Sequence, residues 1–468
     1  MSTLTAKTRD MWSYGVGKFQ AEFFSQAFGV LTFLYYETEV HLDLGLTALA
    51  LIIYSLWNAI NDPLIGFLTE KRANPFADKY GRRFPWIVVG LVFWVFSFIL
   101  VFVIPEQVLA DQFLLFLWMV FSLCIFDTFY SLWDVNYQSI FPDKFRTESS
   151  RSKAAGIATG IGILGIATGF ILPTLIIEYS DPVLMIDNSS TFATNSIVFA
   201  VIGFFLIFFL LPGVSESSDM IKRYLDDRKT SETTSFVNSF KEAFRKRNFV
   251  AWVVLYFFYQ AAVVSMTGSV HYVGKYVLTE GSTTIIFVAL LIGALLGLPL
   301  WIRIAKRIES NQKTMMITAT LMAIFALPIG LPVVETATMI AFFIFFFGIA
   351  FGGYWMIMTP ALADVIDEIV IESGHRNDGI YMGFRAFFGR LAFAVQALSF
   401  WAIHLLTNFD PELNAETMPD LAKLGIHIHM AIVPAILLII GVIVFRKINT
   451  LTPEIVKQNK GKLKEMNL

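Results

Sequence analysis

The chain has 468 residues, of which 56% are hydrophobic and only 15% charged, and it carries a formal net charge of -2 with a mean hydropathy of +0.65. This composition excludes an ordinary water-soluble globule and describes a chain whose main solvent is lipid. The single cysteine, Cys124, rules out an intramolecular disulfide, and in such a chain the placement of charge matters more than its sum.

The first residues lack an apolar core followed by a small-residue cleavage site, so no removable signal peptide is expected. Apolar stretches of roughly 20 residues recur about twelve times. They lie near 12–36, 45–69, 86–104, 112–140, 153–177, 194–212, 249–275, 284–304, 313–333, 337–366, 379–406 and 425–446. The longest polar stretch, 213–248, falls after the sixth span. The expected fold is therefore all-α and integral to the membrane, with twelve transmembrane helices in two six-helix bundles, 1–212 and 249–446, followed by a tail over 447–468.

Loops alternate in charge. Lys71, Arg72, Lys79, Arg82 and Arg83 follow the second span, Lys144, Arg146, Arg151 and Lys153 the fourth, and Arg303, Lys306, Arg307 and Lys313 the eighth. The intervening loops 37–44, 105–111, 178–193 and 334–336 contain no lysine or arginine. The positive-inside rule places the basic loops and both termini in the cytoplasm. Within the linker, Phe236, Phe240 and Phe244 recur every four residues beside Lys241, Arg245, Lys246 and Arg247. This pattern predicts an amphipathic helix on the cytoplasmic surface, the alternative being a solvated linker.

Polar residues inside the spans carry the functional signal, because a charge at the bilayer centre costs on the order of 2.5–3.5 kcal/mol on insertion scales. On the first span Glu22 follows Lys18 by four residues, with Gln20 between, so Glu22 and Lys18 could simply neutralise each other. The second span reads WNAINDPLIG, with Asn58 and Asp62 on one helix face and Asn61 beside them. A cation would relieve the isolation of Asp62, which points to a transporter; the alternative is a hydrogen bond to a neighbouring helix. Asp62 suits a proton as well as a metal ion, since burial and exposure shift its protonation in opposite directions. Asp127, Ser131 and Asp134 share a stripe of the fourth span; Asp127 could be a second proton site or lie near the outer boundary, and the boundary is the favoured expectation. The run GIATGIGILG predicts close helix approach by the fifth span.

In the second half, Tyr256, Tyr259 and Gln260, then Tyr354 and Trp355, and finally Gln396 could complete a polar-aromatic site, although aromatics in such helices more often pack. Arg385 and Arg390 interrupt the eleventh span, and a cation at Arg390 could neutralise Asp62 or Asp134 or bind a substrate carboxylate. Asp364, Asp367 and Glu368 close the tenth span on the side of Arg82, Arg83 and Arg151. We read these six as a charge lock of the cytoplasmic gate; the alternative is plain solvation. The six histidines show no metal-ligand spacing, His427 and His429 being two residues apart and so on different faces. No phosphate-binding glycine loop or nucleophile elbow is present, so an ATP-driven pump or a hydrolase of those classes is not expected. No cofactor and no nucleic acid are expected.

Taken together, SYGVG at 13–17, WNAINDPLIG at 57–66, GRRFPW at 81–86, DVNYQSIFPD at 134–143 and ADVIDEIVIESGHRNDGIYMG at 363–383 resemble the major facilitator superfamily. Within it the chain is similar to the glycoside–pentoside–hexuronide:cation symporters, the family of melibiose permease. The resemblance implies symport of a sugar, glycoside or sugar acid with sodium or a proton by alternating access. It assigns Asp62, Asn58 and Ser131 to the cation site, which Asn61 joins by its place on the helix, and Glu22, Asp134, Gln138, Thr159 and Arg390 to the substrate site, which Tyr256, Gln260 and Trp355 could complete by their residue type. Asn58 stands where the family has a second acid, Gln138 where it has an aromatic ring and Thr159 where it has an arginine, so the substrate is not expected to be melibiose itself. A lysophospholipid symporter of the same fold is the runner-up, and a non-transporting sensor ranks below both. The implied protein is a monomer in a plasma membrane, the bacterial inner membrane, with lipid and a small-molecule substrate as its partners.

Overall fold

The computed structural model describes residues 7–71, 77–145, 147–181, 183–221, 244–373 and 378–465. The chain divides into two compact units, Met1–Thr233 and Thr234–Leu468. Unit 1 holds α1 (Thr8–Leu34, continued by a π-helical turn Tyr35–Glu39), α2 (Leu44–Lys71), α3 (Phe84–Phe102), α4 (Gln112–Lys144), α5 (Glu148–Ile176) and α6 (Ser190–Val214). Unit 2 holds α7 (Arg247–Tyr276), α8 (Thr283–Ile308), α9 (Asn311–Ala326), α10 (Ala337–Ser373), α11 (Asp378–Arg390), α12 (Ala392–Leu406), α13 (Asp420–His427) and α14 (Val433–Ile448). α11 and α12 form one span broken at Leu391, and α13 and α14 form another joined by a π-helical turn, Ile428–Ile432. Among the described residues each unit thus has six long helical segments. Among the described residues eleven are long and apolar enough to cross a membrane; the twelfth, α1, is diluted by Asp10, Lys18 and Glu22.

Why these stretches are helical follows from their solvent. In hydrocarbon every backbone group must be bonded within the segment, which selects helices, and among the described residues only isolated β-bridges accompany them. Side chains cap several starts: Asp111 accepts from the amides of Phe113 at 2.9 Å and Leu114 at 2.8 Å. Phe205, Phe209 and Leu296 are more than half exposed, an arrangement costly in water and favourable against acyl chains.

Small residues set the packing. Gly165 and Gly169 of α5 lie against the Phe19 and Phe23 carbonyls of α1, so the fifth span approaches the first closely, as its glycine run predicts. In unit 2, Gly293 and Gly297 of α8 face Phe345 and Ile349, while Gly348 and Gly352 of α10 face Leu290 and Ala294. Around these contacts unit 1 packs Phe23 on Phe199 with centroids 4.0 Å apart, and Trp94 among Phe24, Phe126 and Trp133.

The segment expected to be an amphipathic surface helix, including Phe236, Phe240 and Lys241, lies outside the described residues except for its end, from Phe244 through Arg247. The tail, which carried no structural expectation, forms a further helix, α15 (Pro453–Glu465), anchored by the ion pair of Lys460 with Asp364 at 3.1 Å.

Candidate functional site

α2 and α4 bring the intramembrane polar residues of unit 1 together. Asn61, one-hundredth exposed, donates through Nδ2 to the Asp127 carbonyl at 3.1 Å, to Asp127 Oδ2 at 3.0 Å and to Ser131 Oγ at 3.0 Å. Ser131 in turn donates to Asp62 Oδ1 at 2.5 Å. One turn away, Asn58 is fully buried and donates to the Tyr54 hydroxyl at 3.1 Å. The side-chain carbonyl oxygens of Asn58 and Asn61 are buried and receive no hydrogen bond from the described residues. Pro63 follows Asp62 inside α2 and, lacking an N–H, leaves the Ala59 carbonyl without its helical donor. The cluster therefore presents two carboxylates, one hydroxyl and several under-donated carbonyl oxygens, the donor set of a hard cation.

Asp127 corrects an expectation. It is not at the outer boundary but buried in the middle of α4, held by Asn61. The four-then-three spacing with Ser131 and Asp134 already put it on their stripe; what spacing could not give was the facing residue on α2.

The substrate residues of unit 1 lie on two helices. Asp134 is buried and accepts from Gln138 Nε2 at 2.7 Å. Below it Tyr14 and Tyr137 stack at 4.2 Å and exchange hydroxyl-to-carbonyl bonds of 3.2 and 2.6 Å. Glu22 pairs with Lys18 at 2.7 Å and accepts from Gln26 at 3.0 Å, so the mutual neutralisation considered above is present. Gln20 turns the other way and donates to the Gly203 carbonyl. Thr159 is exposed on α5.

At the basic end of unit 1, Arg83 pairs with Asp143 at 2.8 Å and donates to the Ser139 carbonyl. Arg151 donates to the Phe145 and Pro142 carbonyls. In unit 2, Asp364 is held by Asn311 at 2.7 Å as well as by Lys460, and Glu368 accepts two bonds from Asn248. Arg82, Asp367 and Glu368 are half-buried. These four residues, Arg83, Arg151, Asp364 and Glu368, thus have partners in their own unit.

The aromatic residues of unit 2 form a connected surface. Trp252 stacks on Tyr256 at 5.1 Å, Tyr256 adjoins Tyr259, and Tyr259 stacks on Tyr354 at 3.8 Å. The Arg385 guanidinium lies over the Tyr256 ring, 5.5 Å from its centre. Gln260, Trp355 and Arg390 are half-buried and Gln396 is buried. Arg390 ends α11 at the break before Leu391.

A further cluster was not legible from spacing. His429, in the π-helical turn, has Nδ1 2.6 Å from Ser269 Oγ and Nε2 3.3 Å from Nε2 of His404, and all three side chains are buried. Ser269 gives its only hydroxyl proton to the Ser265 carbonyl at 2.6 Å. His429 Nδ1 is therefore the donor to Ser269. His404 and His429 are 25 residues apart, so only tertiary packing joins them.

Comparison with known proteins fits a transporter. The sodium-dependent lysophosphatidylcholine symporter 1 of Gallus gallus is 22% identical over 97% of this chain and 88% of its own length. The raffinose carrier protein of Pediococcus pentosaceus is 20% identical over 88% of this chain and 63% of its own. Among solved structures, a POT family transporter in complex with a thioalcohol-conjugated peptide superposes with a TM-score of 0.63 at 12% identity, covering 94% of this chain and 97% of that one. The nucleoside transporter NupG (D323A mutant) superposes with a TM-score of 0.60 at 12% identity, covering 95% and 100%. These relatives and neighbours are transporters rather than enzymes, and the chain is an integral, multi-pass membrane transporter. The model described as MFS/sugar transport protein matches residues 13–449, and the chain belongs to that family of the major facilitator superfamily.

Proposed function

We propose that the chain is a cation-coupled symporter of a sugar or sugar acid. The observation that carries this reading is the buried α2–α4 cluster, whose Asn58 and Asn61 carbonyl oxygens receive no hydrogen bond beside the Asp62 and Asp127 carboxylates. Such acceptors are costly to bury unsatisfied, and a sodium ion would satisfy them together. Asp62 is the principal ion ligand, with Asn58, Asn61 and Ser131, and Asp127 adds charge at the same place. A proton on Asp62 is the other coupling ion that these groups allow. Asp134, Gln138, Glu22 and Thr159 are the substrate residues of unit 1, the first three binding hydroxyls, and Arg390, Tyr256, Gln260 and Trp355 are those of unit 2. Arg82, Arg83, Arg151, Asp364, Asp367 and Glu368 exchange partners at the cytoplasmic gate as access alternates. Both termini face the cytoplasm of a bacterial inner membrane, and the working form is a monomer.

A second reading, transport of a lysophospholipid, is supported by the printed function of several relatives. One experiment separates the two. Proteoliposomes are offered radiolabelled hexoses, glycosides, uronates or lysophosphatidylcholine under separate sodium and proton gradients, with wild type and Asp62→Asn compared. Gradient-driven accumulation of a sugar or uronate that the variant loses is the expected result. Equal accumulation by Asp62→Asn would remove Asp62 from coupling, and accumulation of the lysolipid alone would replace the sugar reading with the second one.

A further inference from the structure

Arg385 is a half-buried guanidinium inside the span Gly383–Leu406. A cation at such a place is ordinarily paired or committed to function. Among the described residues no carboxylate lies within ion-pair distance of it, and its one close partner is the face of Tyr256. That contact is built rather than incidental. Gly389, one turn along α11, lies so close to α7 that a Cβ there would come within 2.9 Å of the Tyr256 hydroxyl, so a glycine is what lets α11 press onto this ring.

A second observation points the same way. The Tyr354 hydroxyl is fully buried and has no hydrogen-bond partner among the described residues. It belongs to the same aromatic surface, through the stack of Tyr354 on Tyr259 and the contact of Tyr259 with Tyr256. Buried hydroxyls are rarely left unpaired. A planar guanidinium with no acceptor among the described residues and a phenolic donor likewise without one together make a receptor for an oxyanion.

We propose that Arg385, Tyr256 and Tyr354 form an anion subsite in unit 2, and that the transported solute carries a carboxylate or a phosphate there. The inference rests on the symport reading above and narrows it: among sugars the substrate is an acid and not a neutral glycoside. The Tyr256 ring positions the guanidinium, Arg385 supplies charge and a bidentate fork, and Tyr354 donates one hydrogen bond.

Binding is measured at equilibrium, with no ion gradient, on the full chain in lipid nanodiscs. The probes are tritiated D-glucuronate, lysophosphatidylcholine and D-glucose, the first two testing carboxylate and phosphate as sources of the charge. The expected result is that glucuronate or lysophosphatidylcholine binds and glucose does not, that Arg385→Gln weakens binding by about tenfold or more, and that Arg385→Lys restores part of it. Tyr354→Phe, which removes only an oxygen, weakens binding less and controls for a misfolded Arg385→Gln. Glucose bound as well as either anion, no anion bound by wild type, or anion binding indifferent to Arg385→Gln and Tyr354→Phe would each overturn the subsite. Because the assay uses no gradient, anion binding that depends on Arg385 without gradient-driven accumulation would remove the symport reading and leave the subsite. Accumulation of a neutral sugar, unchanged by Arg385→Gln, would do the reverse.

Discussion

Replacing Asn61 by alanine tests the α2–α4 cluster directly. Its Nδ2 serves three acceptors at 3.0–3.1 Å, the Asp127 carbonyl, the Asp127 carboxylate and the Ser131 hydroxyl, although an amide nitrogen has only two hydrogens to give. The loss is thus about two bonds. One goes to a charged group, about 1.5–3 kcal/mol, and one to a neutral acceptor, about 0.5–1.5 kcal/mol, so Asn61→Ala costs about 2–4.5 kcal/mol. For units of this size each kcal/mol shifts the thermal midpoint by about 2–4 °C. The same change removes the under-donated Asn61 carbonyl oxygen and loosens the Ser131 hydroxyl that Asp62 accepts from. The assay is thermal unfolding of purified protein in detergent, with sodium chloride or choline chloride at matched ionic strength. A ligand at a hundred times its dissociation constant stabilises by about 2.7 kcal/mol, so wild type melts higher in sodium if sodium is the ion, and Asn61→Ala melts lower and loses most of that response. An Asn61→Ala midpoint within about 1 °C of wild type, with an unchanged sodium response, would refute the argument that this amide organises an ion site.

Two further outcomes follow from other parts of the fold. Gly165→Ala puts a methyl group 2.9 Å from the Phe19 Cα and nearer still to its carbonyl oxygen, and overpacking of that kind costs about 1–3 kcal/mol. Gly160, on the same helix, faces open space, and a Cβ added there would meet nothing within 4 Å, so Gly160→Ala is expected to stabilise by about 0.5–1 kcal/mol; melting the two variants side by side checks both signs. In the loop before α6, the Ser189 side chain and amide hold Asp187 below its ordinary carboxyl range. A depressed pKa contributes stability above the unfolded value and loses it as the pH falls through the folded one. Asp187→Asn should therefore speed amide exchange around Ser189 at pH 7 but not under acid conditions, by an equilibrium effect under about 1 kcal/mol because the group is largely exposed.

Much of the architecture was open to reading from residues alone. Each span is local: about 20 apolar residues must be helical in lipid whatever they pack against. The polar stretch after α6 falls where the two compact units meet in sequence. Within a single helix the site was also legible, because residues four apart share a face, and the Lys18–Glu22 and Asp134–Gln138 contacts are both of this kind. The break at Leu391 and the helix in the tail carried no comparable periodic signal.

Which polar groups meet across helices was decided only by tertiary structure. Asn61 finds Asp127 across 66 positions, His404 finds His429 across 25, and Arg385 settles on Tyr256 from a helix far along the chain. Hydrophobic period and composition state how far a helix runs and which face is polar, but not which neighbour that face will meet. That choice belongs to the close approaches at residues such as Gly165, Gly169 and Gly389, where the absence of a side chain lets one helix lie against another and sets the register of every polar contact along it.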